Sequence, residues 1–171
     1  IRDSGFINSS TSGEGNAGNI AILVDSVDAL DGSQIRASTS GVGNSGLIFI
    51  DAQGAVTFQG RDQFDLPSGI FSAVNQGATG NSRGIDISAG SLGVRDRAQI
   101  SSSTEGNGNA GNISIRADDE VSLVNSIIIS EVTEGLGNGN GGNIFIDANI
   151  LELVNGSSLL ADTETIGDAG S

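Results

Sequence analysis

The sequence predicts an all-β fold, a right-handed parallel β-helix with three strands per coil and about 28–31 residues per coil. A phrase that reads Gly-Asn-Ala-Gly-Asn-Ile-Ser-Ile in one of its copies returns along the chain at nearly even intervals. Each repeat also contains three short segments in which apolar residues alternate with period two, which is the pattern of a strand. No segment shows a helical period. The copies of the phrase begin at Gly15, Gly43, Gly80, Gly108 and Gly139.

The repeat length follows from the first Ile of each phrase. These residues are Ile20, Ile48, Ile85, Ile113 and Ile144, so the steps are 28, 37, 28 and 31 residues. Strands this short are not stable as isolated hairpins, but each can pair with its counterpart one repeat later. The coils would then lie about 4.8 Å apart, with their apolar side chains stacked in the interior.

Residues 1–14 are predicted to be the end of a coil, because residues 6–11 align without gaps to residues 34–39 and 99–104. The first strand of each coil then starts at the Ile of the phrase. The second strand is predicted to start at Val27, Val56, Leu92, Val121 and Leu151. The third is predicted to start at Ile7, Ile35, Ile70, Ile100, Ile129 and Leu159.

An asparagine ladder is predicted at the turn before the first strand. One Asn lies four residues before the first Ile of every repeat, so the coils should place these side chains directly above one another. The preceding glycines would supply backbone angles that other residues resist. The ladder residues are Asn16, Asn44, Asn81, Asn109 and Asn140.

One repeat carries an insertion near residues 59–68, because Val56 and Ile70 are 14 residues apart where other repeats have eight. Loops on rigid scaffolds are the usual place for binding. The candidate binding loop comprises Arg61, Asp62, Gln63, Phe64 and Asp65. An exposed Phe64 or Phe71 could contact a partner, but a loop folded back against its own coil is the favoured interpretation.

Composition excludes several functions. The formal charge is −14, with 21 acidic residues against seven Arg, so nucleic-acid binding and docking to anionic lipid are disfavoured. The chain has no Cys, which excludes a disulfide scaffold, and no apolar run near the roughly 20 residues that membrane insertion needs.

Residues 1–171 are interpreted as a single β-helix segment, a fragment of a longer array whose uncapped edges would permit end-to-end self-association.

The phrase Gly-Asn-Ala-Gly-Asn-Ile-x-Ile, followed by Val-x-Leu and a short apolar-Ser-Thr strand, resembles the repeats of filamentous-haemagglutinin-type exoproteins. The large cyanobacterial members secreted by the two-partner route are the nearest resemblance. The resemblance implies a secreted or outer-surface bacterial stalk for adhesion, with a host or neighbouring cell surface, a glycan or matrix as partner. Family repeats are scaffold, so it implies neither catalytic residues nor a cofactor. The family's secretion domain is not among these residues, so export is an inference.

A carbohydrate-active β-helix, similar to polysaccharide lyases and hydrolases, is the alternative function. The chain has no His, Lys, Tyr or Cys, which leaves carboxylates and Arg as the catalytic groups. Asp62 and Asp65 could form a carboxylate pair, and Arg95-Asp96-Arg97 occupies the same bend one coil later. The alternative requires these residues to line one groove.

Calcium binding and ice binding are two further alternatives. Calcium prefers oxygen ligands, and two segments carry closely spaced acidic groups. The Gly-Gly-x-Gly-x-Asp motif by which repeat toxins bind calcium is absent, and no metal site is assigned. These groups are Asp25, Asp28 and Asp31, and Asp118, Asp119 and Glu120. Ice-binding solenoids carry threonine columns. The corresponding column here is Thr11, Thr39, Thr104, Thr133 and Thr163, interrupted by Val74.

Glu131 conflicts with the predicted pattern. Its place in the third strand would point it inward beside Ala37, Ser102 and Ala161. A buried unpaired charge is costly, so a local bulge that turns Glu131 outward is expected.

Overall fold

The computed structural model describes residues 1–133, 138–164 and 166–171. These residues form sixteen strands in three parallel sheets, and successive strands of one coil belong to different sheets. The predicted β-solenoid with three strands per coil is confirmed. The described ranges contain no helix long and apolar enough to cross a membrane.

The first sheet is built from the strand that follows each Gly-Asn phrase. The first Ile of every coil pairs with the first Ile of the next, from Ile20 through Ile48, Ile85 and Ile113 to Ile144. The predicted column is therefore confirmed. The strands of this sheet are β2 (Ile20–Val24), β5 (Ile48–Ala52), β8 (Ile85–Ala89), β11 (Ile113–Ala117) and β14 (Ile144–Asp147).

The second sheet follows after a short corner. Its predicted starting residues are in register with one another, Val27 with Val56, Val56 with Leu92 and Leu92 with Val121. The strands are β3 (Val27–Leu30), β6 (Ala55–Gln59), β9 (Ser91–Arg95), β12 (Glu120–Val124) and β15 (Ile150–Val154).

The third sheet contains six strands. They are β1 (Phe6–Asn8), β4 (Gln34–Arg36), β7 (Gly69–Phe71), β10 (Gln99–Ser101), β13 (Ile127–Val132) and β16 (Ser158–Thr163). The prediction of Ile129 as the inward residue of β13 is wrong. Ile128 pairs with Ile100 and is fully buried, whereas Ile129 pairs with Ser101.

The error arises from two compensating changes in corner length. The corner between β11 and β12 has one residue more than the corner between β8 and β9, and the corner between β12 and β13 has one residue fewer than its predecessor. In the shorter corner, buried Ser126 donates a hydrogen bond of 2.6 Å to the carbonyl oxygen of Val94.

The corrected register also explains Glu131. Ser130, which is fully buried, pairs with Ala161, and Glu131 pairs with Asp162. The ladder between β13 and β16 runs without interruption from Ile127 to Val132. Glu131 therefore points outward as expected, but the predicted bulge is absent because a one-residue shift of register has the same effect.

The interior is a continuous column of aliphatic side chains. Ile35, Ile70 and Ile100 of the third sheet have no exposed surface, and neither do Ile48 and Ile113 of the first. Burying each such side chain contributes about 1.5–3 kcal/mol relative to leaving it in water. Because these partners lie a whole coil apart in sequence, the core stabilises the stack of coils and not any coil alone.

Candidate functional site

The insertion is a closed excursion from the second sheet. Arg61 and Pro67 form an antiparallel bridge, and the backbone N–H of Ser68 donates to the carbonyl oxygen of Gly60 at 2.9 Å. The loop begins after β6 and returns to β7, so the coil resumes its regular path. Its base is fixed to the preceding coil by Gln34, whose Nε2 donates to the carbonyl oxygen of Pro67 at 2.9 Å.

Asp62 organises the loop from within. Its Oδ1 accepts hydrogen bonds from the backbone N–H groups of Phe64 at 2.8 Å and Leu66 at 2.9 Å, and its Oδ2 accepts one from Ser4 Oγ at 3.1 Å. The hydrogen bond from Leu66 contributes most to holding the pKa of Asp62 below its usual value of 3.8. Asp62 is thus an ionised structural group, which is opposite to what a general acid needs.

Asp65 is shared by two arginines. Arg97 of the next coil donates to its carboxylate through both Nη atoms, at 3.0 and 3.2 Å, and Arg61 lies 3.1 Å away. Nη1 of Arg61 also donates to the carbonyl oxygen of Asp65 at 2.6 Å. Both predicted carboxylates are therefore engaged in holding the loop against the coils on either side of it.

The tip of the loop carries exposed apolar side chains. Phe64 is 76% exposed and Leu66 is 44% exposed, and Gln63 beside them also faces solvent. The favoured interpretation of a loop folded back on its coil is therefore wrong for the tip, although the base does fold back. Asp62 binds the backbone of the tip, and the side chain of Phe64 is left exposed to solvent.

The hollow that contains Asp62 is not lined by Arg95 or Asp96. Asp62 and Gln63 line a hollow of about 300 Å³ with Asp3, Ser4, Asp31 and Arg61, toward the preceding coil. Asp96 instead accepts a hydrogen bond of 2.7 Å from Gln59. Asp65 reaches the same bend through its ion pair with Arg97, whereas Asp62 faces the preceding coil. The carbohydrate-active alternative stays a prediction.

The asparagine ladder is present on the outer surface of the turn. Each Asn Oδ1 accepts a hydrogen bond of 2.8 Å from the backbone N–H of the next Asn, and Asn140 binds the N–H of Asp168 at 3.0 Å. The bonds thus run from side chain to backbone and not between stacked amides. The ladder consists of Asn16, Asn44, Asn81, Asn109 and Asn140.

The glycines before the ladder have a second role besides their backbone angles. Gly43, Gly80 and Gly108 have positive φ of 145°, 154° and 140°. A Cβ atom on Gly108 would also overlap the carbonyl oxygen of Gly80. The coils approach so closely at this turn that both the angle and the space require glycine.

Two further coil-to-coil contacts were not anticipated. The second Asn of the phrase forms its own partial ladder, in which Asn19 Oδ1 accepts from Leu47 N–H at 3.0 Å and Asn112 Oδ1 from Asn143 N–H at 2.9 Å. The repeated Gly-Asn-x-Gly-Asn spacing was a signal for it.

A chain of buried hydroxyls also joins Ser45, Ser72, Ser82 and Ser102, with Oγ–Oγ distances of 2.8, 3.2 and 2.9 Å.

The threonine column lies mainly inside the solenoid. Thr39 and Thr104 have no exposed surface and pair with Val74 between them. Val132, not Thr133, continues the column beside Thr104. This column does not form the flat exposed face that ice binding would use.

The predicted acidic segments do not converge. Among residues 1–133, 138–164 and 166–171, no group of three or more His, Cys, Asp or Glu side chains has the arrangement of a metal site.

Comparison with protein families, curated proteins and solved structures found no match for this chain.

Proposed function

We propose that this chain is a rigid structural segment of a large secreted or cell-surface protein of the filamentous-haemagglutinin type. The coil-to-coil hydrogen bonds of the asparagine ladder carry this proposal, because they tie successive turns of the chain together on the surface as the aliphatic columns do inside. Interactions repeated at every coil make a stiff rod, in which each unit is stabilised by its neighbours.

The rod would display the 59–68 loop to a partner on another cell, in matrix or on a glycan. Phe64 supports this role, since a large aromatic side chain that is 76% exposed on a firmly held loop is a suitable contact for a partner. The two arginines on Asp65 and the hydrogen bonds to Asp62 fix the loop before any partner arrives, which lowers the entropy cost of binding.

A six-residue deletion tests the proposal. Removing residues 62–67 restores the eight-residue spacing between Val56 and Ile70, so the deletion variant should keep its coil. Beads that carry the intact chain should adhere to a matrix-embedded bacterial lawn, and beads that carry the deletion variant should not. A Val42→Ser variant, altered at a side chain 59% exposed outside the loop, is the control.

Two results would contradict the proposal. If neither bead adhered more than an uncoated bead, the adhesive role would fail. If both adhered equally while circular dichroism showed intact β-structure, the loop would not be the displayed element.

A further inference from the structure

A groove on the outer face of the third sheet is separate from the insertion loop. It has a volume of about 470 Å³ and is lined by Phe6, Asn8, Ser10, Arg36, Ser38 and Asn75. That volume is within the range of roughly 300–1,000 Å³ that small-molecule sites occupy. The lining comes from three consecutive coils, because Asn8 pairs with Arg36 and Arg36 with Phe71.

The groove occurs where the repeat departs from its regular path. The paired positions Thr39 and Val42 are three residues apart, but their counterparts Val74 and Thr79 are five apart. The two additional residues form a turn in which Ala78 N–H donates to the carbonyl oxygen of Asn75 at 3.0 Å. Asn75, at the start of this turn, lines the groove.

Ser38, in the coil that precedes this turn, has a hydroxyl group without a hydrogen-bond partner. The residue is only 3% exposed, and its Oγ makes no hydrogen bond in the part of the chain that the structure describes. A buried hydroxyl without a partner costs roughly 1–3 kcal/mol. Its backbone N–H is already bound to Ser10 Oγ at 3.0 Å, so the hydroxyl is the group of Ser38 that still lacks a partner.

Neighbouring amides have remaining hydrogen-bonding capacity. Asn8 accepts from Ser10 Oγ at 2.6 Å through Oδ1, which leaves its NH₂ group for a ligand. Asn75 donates through Nδ2 to Ser40 Oγ at 2.7 Å, which leaves its carbonyl oxygen. The groove therefore offers a donor, an acceptor and a hydroxyl, a set that suits a ligand rich in hydroxyl groups.

Arg36 adds a positive charge to this set. Its guanidinium lies 5.6 Å from the centre of the Phe71 ring, which holds the planar group in place. No carboxylate lies within salt-bridge distance of Arg36 among residues 1–133, 138–164 and 166–171. In a chain of net charge −14, an arginine without a carboxylate partner inside a groove is a local site for an anion.

We propose that this groove binds an anionic saccharide. The carboxylate or sulfate of the sugar binds Arg36, and its hydroxyl groups bind Ser38 and the two amides. Phe6, which is 55% exposed, offers a flat apolar face for the sugar ring. The site includes no residue of the insertion loop, so a test of saccharide binding and a test of the display role can fail independently.

Calorimetric titration of the whole chain tests the proposal with four probes: a uronic acid hexasaccharide, a sulfated hexasaccharide, an uncharged glucose hexasaccharide and inorganic sulfate. We expect one or both charged saccharides to bind at least tenfold more tightly than the uncharged one and than sulfate. Which of the two binds identifies the acidic group. Binding of neither, equal binding of the uncharged saccharide, or sulfate binding as tightly would overturn the proposal.

Variants locate the site. Ser38→Ala should weaken binding roughly 2- to 10-fold through loss of one hydrogen bond, and Arg36→Gln roughly tenfold or more through loss of a charged one. The matched controls are Ser33→Ala, which removes another buried hydroxyl without a partner, and Arg116→Gln, which removes an exposed arginine from the first sheet. Ser38→Ala removes no hydrogen bond of the folded chain, so its fold should be retained. If the controls weakened binding as much as the groove variants, the site would be elsewhere.

Discussion

The side-chain oxygen of Asn81 accepts a hydrogen bond of 2.8 Å from the backbone N–H of Asn109, although 28 residues separate them. The same hydrogen bond repeats at this turn from coil to coil, so an exposed polar side chain links each coil to the next. In this fold the side chains of the surface and of the interior both contribute to stacking.

Loss of one rung should weaken the whole stack. Asn81→Ala removes the acceptor for Asn109 N–H, and we expect the free energy of unfolding to fall by about 0.5–1.5 kcal/mol. Urea unfolding measures the change. Asn107→Ala, at an exposed residue outside the ladder, is the control and should shift stability by less than about 0.5 kcal/mol. Equal effects of the two substitutions would show that the rung contributes nothing of its own.

The glycine column should be intolerant of substitution. Gly108→Ala places a Cβ against the carbonyl oxygen of Gly80 in a residue with φ of 140°, so we expect a loss of about 2 kcal/mol or more. Gly13→Ala adds a Cβ with no atom within 4 Å and serves as the control. Thermal unfolding of both variants distinguishes close coil contact from a general cost of replacing glycine. A Gly108→Ala variant as stable as Gly13→Ala would contradict the observed approach of the coils.

The insertion loop should open in acid. Because the pKa of Asp62 is lowered in the folded chain, its ionised form stabilises the loop above the ordinary value of 3.8, and this stabilisation is lost as the pH falls through the lowered value. We expect the amide proton signals of Phe64 and Leu66 to shift in that range. The amide of Ile113, in the middle of the first sheet, is the internal control. Asp62→Ala should accelerate exchange of both loop amides at neutral pH, and unchanged exchange would refute the role of Asp62.

Glu131 should have the opposite pH dependence. Burial raises its pKa above 4.5, and the carboxylates of Glu164, Asp162 and Glu105 raise it further. The protonated form therefore favours folding, and this contribution is lost as the pH rises through the raised value. Glu131→Gln should be more stable than the parent chain at neutral pH, and the difference should shrink below pH 4.5.

Glu14→Gln, which removes one exposed negative charge elsewhere, corrects for the general relief of repulsion in this acidic chain. Chemical denaturation at several pH values supplies the comparison. A gain for Glu131→Gln no larger than that for Glu14→Gln would contradict the local explanation.

The architecture was predictable because the interior repeats the same chemistry at fixed intervals. The register of the first sheet can be predicted from Ile20, Ile48 and Ile85, because a shift of one residue would turn their apolar side chains outward. The register of β13 cannot be predicted in this way, because three consecutive Ile residues, 127–129, would give an apolar inward side chain in both of the neighbouring registers. Corner lengths decide between them, and these depend on packing that the apolar pattern does not encode.

The surface was less predictable than the interior. The asparagine ladder could be located from spacing, but the direction of its bonds depends on backbone geometry at the turn. Phe64 is exposed on a loop whose backbone is held by the hydrogen bonds of Asp62, and no pattern in the sequence specifies this arrangement. The groove beside Arg36 also escaped prediction, because the aligned segments 6–11 and 34–39 form it only together with Asn75 of a third coil, where the repeat spacing changes.

Disulfide trapping across one coil tests the central claim most directly, and the natural chain contains no Cys to interfere. Ser88 and Arg116 are register partners on the outer face of the first sheet, while Ser114 lies two residues out of register with Ser88. Adjacent strands are about 4.8 Å apart, a separation that a disulfide spans, whereas a pair more than about 7 Å apart does not bridge without backbone movement. The account predicts that Ser88→Cys with Arg116→Cys forms an intramolecular disulfide under mild oxidation and that Ser88→Cys with Ser114→Cys does not. Failure of the first pair, or equal yields from both, would contradict the stacked register on which the proposed rod depends.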